Sequence, residues 1–135
     1  MRAPALLRID HIHVFVRDRA AAVRWYAEAL GLAPLAAYAH WAEGGGPLTL
    51  ADPGDAVHLA LFERPDAPPN RATVALATDA PGFAAWQRRL AAALGRAPAL
   101  EDHGEALSLY FNDPDGNPYE ITTYDAEAAR AALGD

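Results

Sequence analysis

The sequence predicts an α+β fold built from two tandem β-α-β-β-β units, and three observations carry that reading. Leu48 to Phe62, L-T-L-A-D-P-G-D-A-V-H-L-A-L-F, reads against Leu109 to Tyr124, L-Y-F-N-D-P-D-G-N-P-Y-E-I-T-T-Y, with one residue missing from the first turn. Upstream, A-L-G-L-A-P at Ala29 to Pro34 matches A-L-G-R-A-P at Ala93 to Pro98. In both halves an alternating apolar run ends near an aspartate, Asp18 or Asp79, and gives way to apolar residues at helical spacing.

Each element follows from local chemistry. Arg8 to Val16 alternates, with Ile12, Val14 and Val16 on one face of a strand and His11, His13 and Phe15 on the other. Asp18 then caps a helix from Arg19 to Leu30, whose Val23, Tyr26 and Leu30 share a face and whose end is set by Gly31. Three further strands are expected at Leu35 to Trp41, Leu48 to Ala51 and Ala56 to Phe62, with a turn at Gly44 to Gly46. These complete a first unit over residues 8–63. Residues 64–71, R-P-D-A-P-P-N-R, are rich in proline and read as a linker.

The second unit covers residues 72–124 within one domain of 1–135. Its first strand is Ala72 to Thr78, and Asp79 caps a helix with Pro81 in the first turn and Phe83, Trp86, Leu90 and Leu94 along one face. Gly95 ends it. Short strands at Ala97 to Glu101 and Leu107 to Phe111 lead to the turn D-P-D-G-N, where Pro114 presets φ and Gly116 tolerates a positive one. The strand that follows carries Glu120, a carboxylate among apolar and aromatic neighbours that is costly to bury unpartnered. A short terminal helix is expected over Asp125 to Leu133.

Composition narrows the function classes. A chain of 135 residues that is 52% hydrophobic can bury a real core. It contains no cysteine, which excludes disulfides, thiolate metal sites and cysteine nucleophiles. Every basic side chain is arginine, so lysine Schiff-base chemistry is excluded as well. The formal charge of −7 argues against a nucleic-acid partner. No apolar run is long enough to cross a membrane and the start lacks a secretory core, so a cytoplasmic protein is expected.

The repeat places His11 opposite Thr73 and His58 opposite Glu120. Packed about a pseudo-twofold axis, those positions converge, gathering two imidazoles, a hydroxyl and a carboxylate. Two His and one carboxylate with an open position suit a divalent metal, with Fe, Mn, Zn, Ni and Co all compatible. His13 lies on the same strand face as His11 and is expected to line the pocket for substrate.

The opening D-H-I-H-V-F-V, the helix R-W-Y-A-E-A-L-G and the closing D-P-D-G-N-P-Y-E-I together resemble the vicinal oxygen chelate superfamily, over about Arg8 to Asp125. That group includes glyoxalase I, extradiol dioxygenases, fosfomycin-resistance transferases, methylmalonyl-CoA epimerase and bleomycin-resistance proteins. The resemblance implies curved sheets facing a common cup with helices outside, and metal ligands at His11, His58 and Glu120. Thr73 stands where the metal enzymes usually carry His, and is expected to contact substrate. His58 stands where glyoxalases commonly have Glu.

Glu101 to Glu120 is similar to the closing segment of extradiol dioxygenases, which implies acid-base roles for His103 and Tyr110 beside Glu120. The resemblance further implies a small-molecule substrate that chelates a divalent metal through adjacent oxygens. It also implies a homodimer with a shared active site, since an open-edged cup invites a second copy. Isomerase of the glyoxalase type and dioxygenase both fit. The alternative is a metal-free protein that binds and sequesters a small molecule, as in the bleomycin-resistance group.

Overall fold

Two four-stranded mixed sheets form the frame of the molecule, a computed structural model that describes residues 1–134. The first contains β1 (Ile12–Val16), β2 (Ala33–Pro34), β3 (Leu48–Ala51) and β4 (His58–Glu63) in the order β1-β4-β3-β2. The second contains β5 (Val74–Ala77), β6 (Ala99–Asp102), β7 (Leu107–Asn112) and β8 (Pro118–Thr123) in the order β5-β8-β7-β6. In each sheet the opening strand runs parallel to the closing one and the remaining pairs are antiparallel. The duplicated sequence thus produces duplicated topology.

The parallel pairs require crossovers, supplied by α1 (Arg19–Leu30) and α2 (Ala80–Leu94). Both begin as the sequence dictates. Asp18 accepts from the amide of Ala21 at 3.1 Å and Asp79 from that of Gly82 at 2.8 Å, each satisfying an orphan donor of the first turn. Both stop at a glycine in the left-handed region, Gly31 and Gly95. α1 buries Ala22, Tyr26, Ala29 and Leu30, and α2 buries Ala80, Phe83, Ala84 and Leu90. All of these but Ala84 meet Val14, Leu50, Leu59 and Leu61 of the first sheet and Leu107, Leu109, Tyr119 and Ile121 of the second in one core cluster. A third helix, α3 (Ala126–Leu133), ends the described chain.

The expected strand at Leu35 to Trp41 does not form. β2 is only Ala33–Pro34, and Ala36–Gly45 winds as a 3₁₀ segment broken at Glu43 and Gly44. Alternation is absent from L-A-A-Y-A-H-W, alanine favours helical turns, and Pro34 offers no amide to extend an edge ladder. The amide of Leu35 still reaches the Thr49 carbonyl at 2.9 Å, after which the chain lifts off the sheet.

The D-P-D-G-N turn ties the two halves together. Asp113 is buried and accepts the amides of Asp115 and Asn117 on Oδ1, at 2.9 and 2.8 Å. Its Oδ2 accepts the Tyr26 hydroxyl of α1 at 2.6 Å and the Asn117 side-chain amide at 2.8 Å. With its proton committed to Asp113, the Tyr26 oxygen accepts from Tyr119, 2.7 Å away. Asn117 also donates to the Phe15 carbonyl of β1 and accepts from the amide of Asn70. Asn70 in turn donates to the His13 carbonyl, so the proline-rich stretch is anchored at its end.

Burial pushes the Tyr26 hydroxyl far above its ordinary value, with Tyr119 and the Asp113 carboxylate adding to the effect, and burial likewise raises Tyr119. A phenol whose folded value lies above its unfolded one stabilises the fold fully below about pH 10, and that stability is lost as pH climbs beyond. In an alkaline absorbance titration, two of the five tyrosines are therefore expected to ionise only together with loss of the circular dichroism signal. Five phenols titrating ahead of unfolding would show that the pair is open to solvent.

Candidate functional site

Strand parity divides each sheet into a core face and an open face. On the first sheet, directly paired residues place His13, Ala60 and Thr49 in one open-face row and Phe15 with Phe62 in the next. His58 pairs with Ala51 one row further, beside His11 just ahead of β1. His13 and Phe15 both pack on Phe62, with ring centroids 4.9 and 5.6 Å away.

His11 and His58 line one cavity of about 310 Å³, together with Asp10, Asp55, Thr49, Ala60 and the aromatic rings of Tyr38 and Trp41. Each imidazole has a carboxylate on one nitrogen. Asp10 meets His11 Nδ1 at 2.8 Å and Asp55 meets His58 Nε2 at 2.5 Å. Such pairing fixes the tautomer and leaves the lone pair on the opposite nitrogen, which in His11 is engaged by His13. His11 Nε2 lies 3.2 Å from His13 Nε2, and the two rings stack. The hydrogen bond from His11 holds the Asp10 carboxyl below the ordinary carboxylate range.

The second sheet carries a different open face. Ala75, Glu120, Tyr110 and Ala99 form one row, and Ala77, Thr122, Ser108 and Glu101 the next. Glu120 Oε2 accepts from the Ser108 hydroxyl at 2.6 Å, and Ser108 lies 3.1 Å from the Thr122 hydroxyl. The second carboxylate oxygen of Glu120 has no partner among the described side chains. His103, in the turn between β6 and β7, places Nε2 3.1 Å from the Tyr110 hydroxyl, so these two residues do come together.

That turn is clamped from α3. Arg130 grips Asp102 at 2.6 and 2.8 Å and also donates to the Gly104 carbonyl. Its guanidinium, helped by the Gly104 amide, pulls the Asp102 carboxyl down to about 2. A depressed carboxyl adds stability above its ordinary value and loses it as pH falls through the lowered one, so the clamp persists in mild acid.

Within one chain the expected residues thus fall into two separate groups, one on each sheet. His11, His13 and His58 belong to the first sheet and Glu120, Tyr110 and His103 to the second. Thr73 is exposed and lines a separate shallow cavity with Ile9, Ile12 and Val74. Among the described residues, no group of three or more His, Asp or Glu side chains of a single chain is placed to hold a metal ion.

The strand registers also correct the repeat. Residues 52–57 separate the last pair of the first hairpin, Ala51 and His58, whereas 113–117 separate Asn112 and Pro118. Counting from those closing pairs, Glu120 corresponds to Ala60, not His58. The first turn is the longer one, and the shift of two keeps His58 on the open face. The donor chemistry still fits a divalent metal: two imidazoles oriented by carboxylates on one sheet, and a carboxylate with a free oxygen on the other.

Sequence reasoning missed Asp10, Asp55 and Ser108, the partners that orient the candidate ligands. Asp10 adjoins His11, and Asp55 sits three positions before His58 in a turn, so both signals were present as spacing. Tyr38 and Trp41 were hidden by the expectation of a strand.

The profile of the Glyoxalase/Bleomycin resistance protein/Dioxygenase superfamily matches residues 8–121. No curated protein matches the sequence. Among solved structures, a glyoxalase/dioxygenase from Nostoc punctiforme is 24% identical, with a TM-score of 0.64 over 90% of this chain and 98% of its own. A glyoxylase/bleomycin resistance protein/dioxygenase domain from Frankia is 19% identical, with a TM-score of 0.70 over 88% and 93%. The fosfomycin resistance protein FosX from Listeria monocytogenes is 15% identical, with a TM-score of 0.66 over 93% and 99%. At these identities the likeness concerns the fold.

Proposed function

The chain belongs to the glyoxalase/bleomycin resistance protein/dioxygenase superfamily, and on that footing we propose that it is a metal-dependent enzyme acting on a small molecule that presents two adjacent oxygens. One observation carries the reading: His11 and His58 share a cavity, each with a carboxylate on one ring nitrogen. A divalent metal bound there would supply Lewis-acid stabilisation of an enolate or oxyanion on the chelated substrate.

The chain's own residues divide the remaining work. Asp10 and Asp55 each hold one ring nitrogen of the two imidazoles, and His13, which stacks on His11 and packs on Phe62, supports that ring from outside the cavity lining. Glu120, oriented by Ser108, supplies the third ligand and can take up a proton from a carbon next to the chelating oxygens. Tyr110 and His103 form a hydrogen-bonded pair that can return a proton on the other side. This division suits an isomerase of the glyoxalase type; ring cleavage at the same site would in addition require dioxygen and a redox-active metal such as iron.

The reading needs two copies. In one chain the His half-site and the Glu half-site sit on different sheets, and β5 ends its sheet with no further strand beside it among the described residues. Leu6, Leu7 and Ile9 are exposed ahead of β1. A homodimer that sets the first sheet of one copy against the second sheet of the other covers both features.

Calorimetric titration with zinc tests the ligand set. His58→Ala is expected to weaken binding at least about tenfold while leaving thermal stability unchanged, because the ring lines a polar cavity and not the core. Unchanged zinc affinity in that variant would remove His58 from the set and favour the sequestering protein that binds without metal.

A further inference from the structure

The cavity that holds His11 and His58 has a wall that the metal reading does not use. Tyr38 and Trp41 stack on each other with centroids 4.3 Å apart and planes 10° from parallel, and both line the cavity. Neither belongs to the core: they are 38% and 48% exposed, and the 3₁₀ segment that carries them buries no residue at all. Each ring keeps a large solvent-facing share while the segment adds nothing to the core, so core packing does not account for the pair.

The segment is nonetheless held firmly. Arg19 donates to the carbonyls of Ala42 at 3.2 Å and Gly46 at 2.8 Å, and Arg64 donates to that of Gly45 at 3.0 Å. Two arginines from the first helix and the end of β4 therefore fix the far end of a segment that has no sheet of its own. Fixing a contact surface before the ligand arrives reduces the ordering cost of binding. His40 meets Trp41 edge-on at 5.7 Å, which restricts the indole further.

We infer that Tyr38 and Trp41 form a stacking platform, and that the ligand of this cavity carries a planar aromatic ring beside the two oxygens that reach the metal. A cavity of about 310 Å³ sits at the small end of ligand pockets and takes one or two fused rings. A flat ring laid on the pair extends an existing parallel stack, and its edge oxygens then point to the sheet floor where His11 and His58 lie. An aliphatic hydroxy acid or ketoaldehyde would satisfy the histidines and leave the platform wet. The inference rests on the adjacent-oxygen reading for the position of the metal, but not for the platform itself.

The test compares two probes on zinc-loaded protein by calorimetry: 4-nitrocatechol, a ring with adjacent oxygens, and acetohydroxamate, which chelates through adjacent oxygens without a ring. Trp41→Ala is expected to weaken 4-nitrocatechol about tenfold, the scale of one lost aromatic stack, and to leave acetohydroxamate unchanged. Trp41→Phe is expected to keep most of the affinity. The indole is surface-exposed, so neither change threatens folding. Equal affinity of the parent and Trp41→Ala for 4-nitrocatechol, equal weakening of both probes, or no binding of 4-nitrocatechol to the parent overturns the platform. If acetohydroxamate fails to bind the parent while 4-nitrocatechol binds and depends on Trp41, the metal reading falls and the platform stands.

Discussion

Asp113→Ala is expected to cost about 3–5 kcal/mol of folding stability, a large share of what a domain of this size possesses. The carboxylate is 4% exposed and accepts from the amides of Asp115 and Asn117, the Asn117 side chain and the Tyr26 hydroxyl. Its removal leaves four donors competing for whatever water can enter. Each buried donor left alone costs about 1–3 kcal/mol, and relaxation recovers part of the sum. Tyr26→Phe removes one donor and one acceptor from the same knot and is expected to cost only about 1–2 kcal/mol. Urea unfolding of both variants checks the order. A loss below about 1 kcal/mol for Asp113→Ala would mean that solvent replaces the carboxylate and that the turn closes without it.

His11→Ala and Glu120→Ala are each expected to abolish metal binding, and mixing the two should restore part of it. If a site draws His11 and His58 from one copy and Glu120 from the other, a mixed dimer holds one intact site and one doubly damaged. Random pairing of equal amounts then recovers about a quarter of the parent's sites. Refolding the mixture and measuring zinc stoichiometry reads this directly. Zero recovery despite mixed dimers confirmed by mass spectrometry would place all ligands in one chain and dismiss the shared cup.

Much of the fold could be read before any coordinates, for a local reason. Asp18, Asp79, Gly31 and Gly95 mark helix ends through hydrogen bonds and backbone angles that involve near neighbours only. The β strands followed from parity and repeat. The segment after Pro34 did not, because an alanine-rich stretch with bulky residues at irregular spacing has no period to decide between a ladder and a turn. The equivalence of His58 and Glu120 failed on register. Two D-P turns align well as text, but the residue facing a given partner depends on how many positions the turn spends before pairing begins. His11, His58 and Glu120 could be singled out in the sequence as candidates, whereas the carboxylates and the hydroxyl that hold them needed distances. Tyr26 read as an apolar helix position, and nothing nearby in sequence announces where its hydroxyl goes.

The knot around Tyr26 also sets an order of events during synthesis. Its hydroxyl bonds to Asp113 and neighbours Tyr119, 87 and 93 positions downstream. At translation speeds of about 5–20 residues per second, α1 leaves the ribosome roughly 4–17 s before the carboxylate it needs exists. Until then the Tyr26 hydroxyl has only water or a foreign group to bond, and the first four strands hold an incomplete core. A nascent chain halted near residue 70 should accordingly be cut readily by protease in α1, and become resistant only once the final hairpin has emerged.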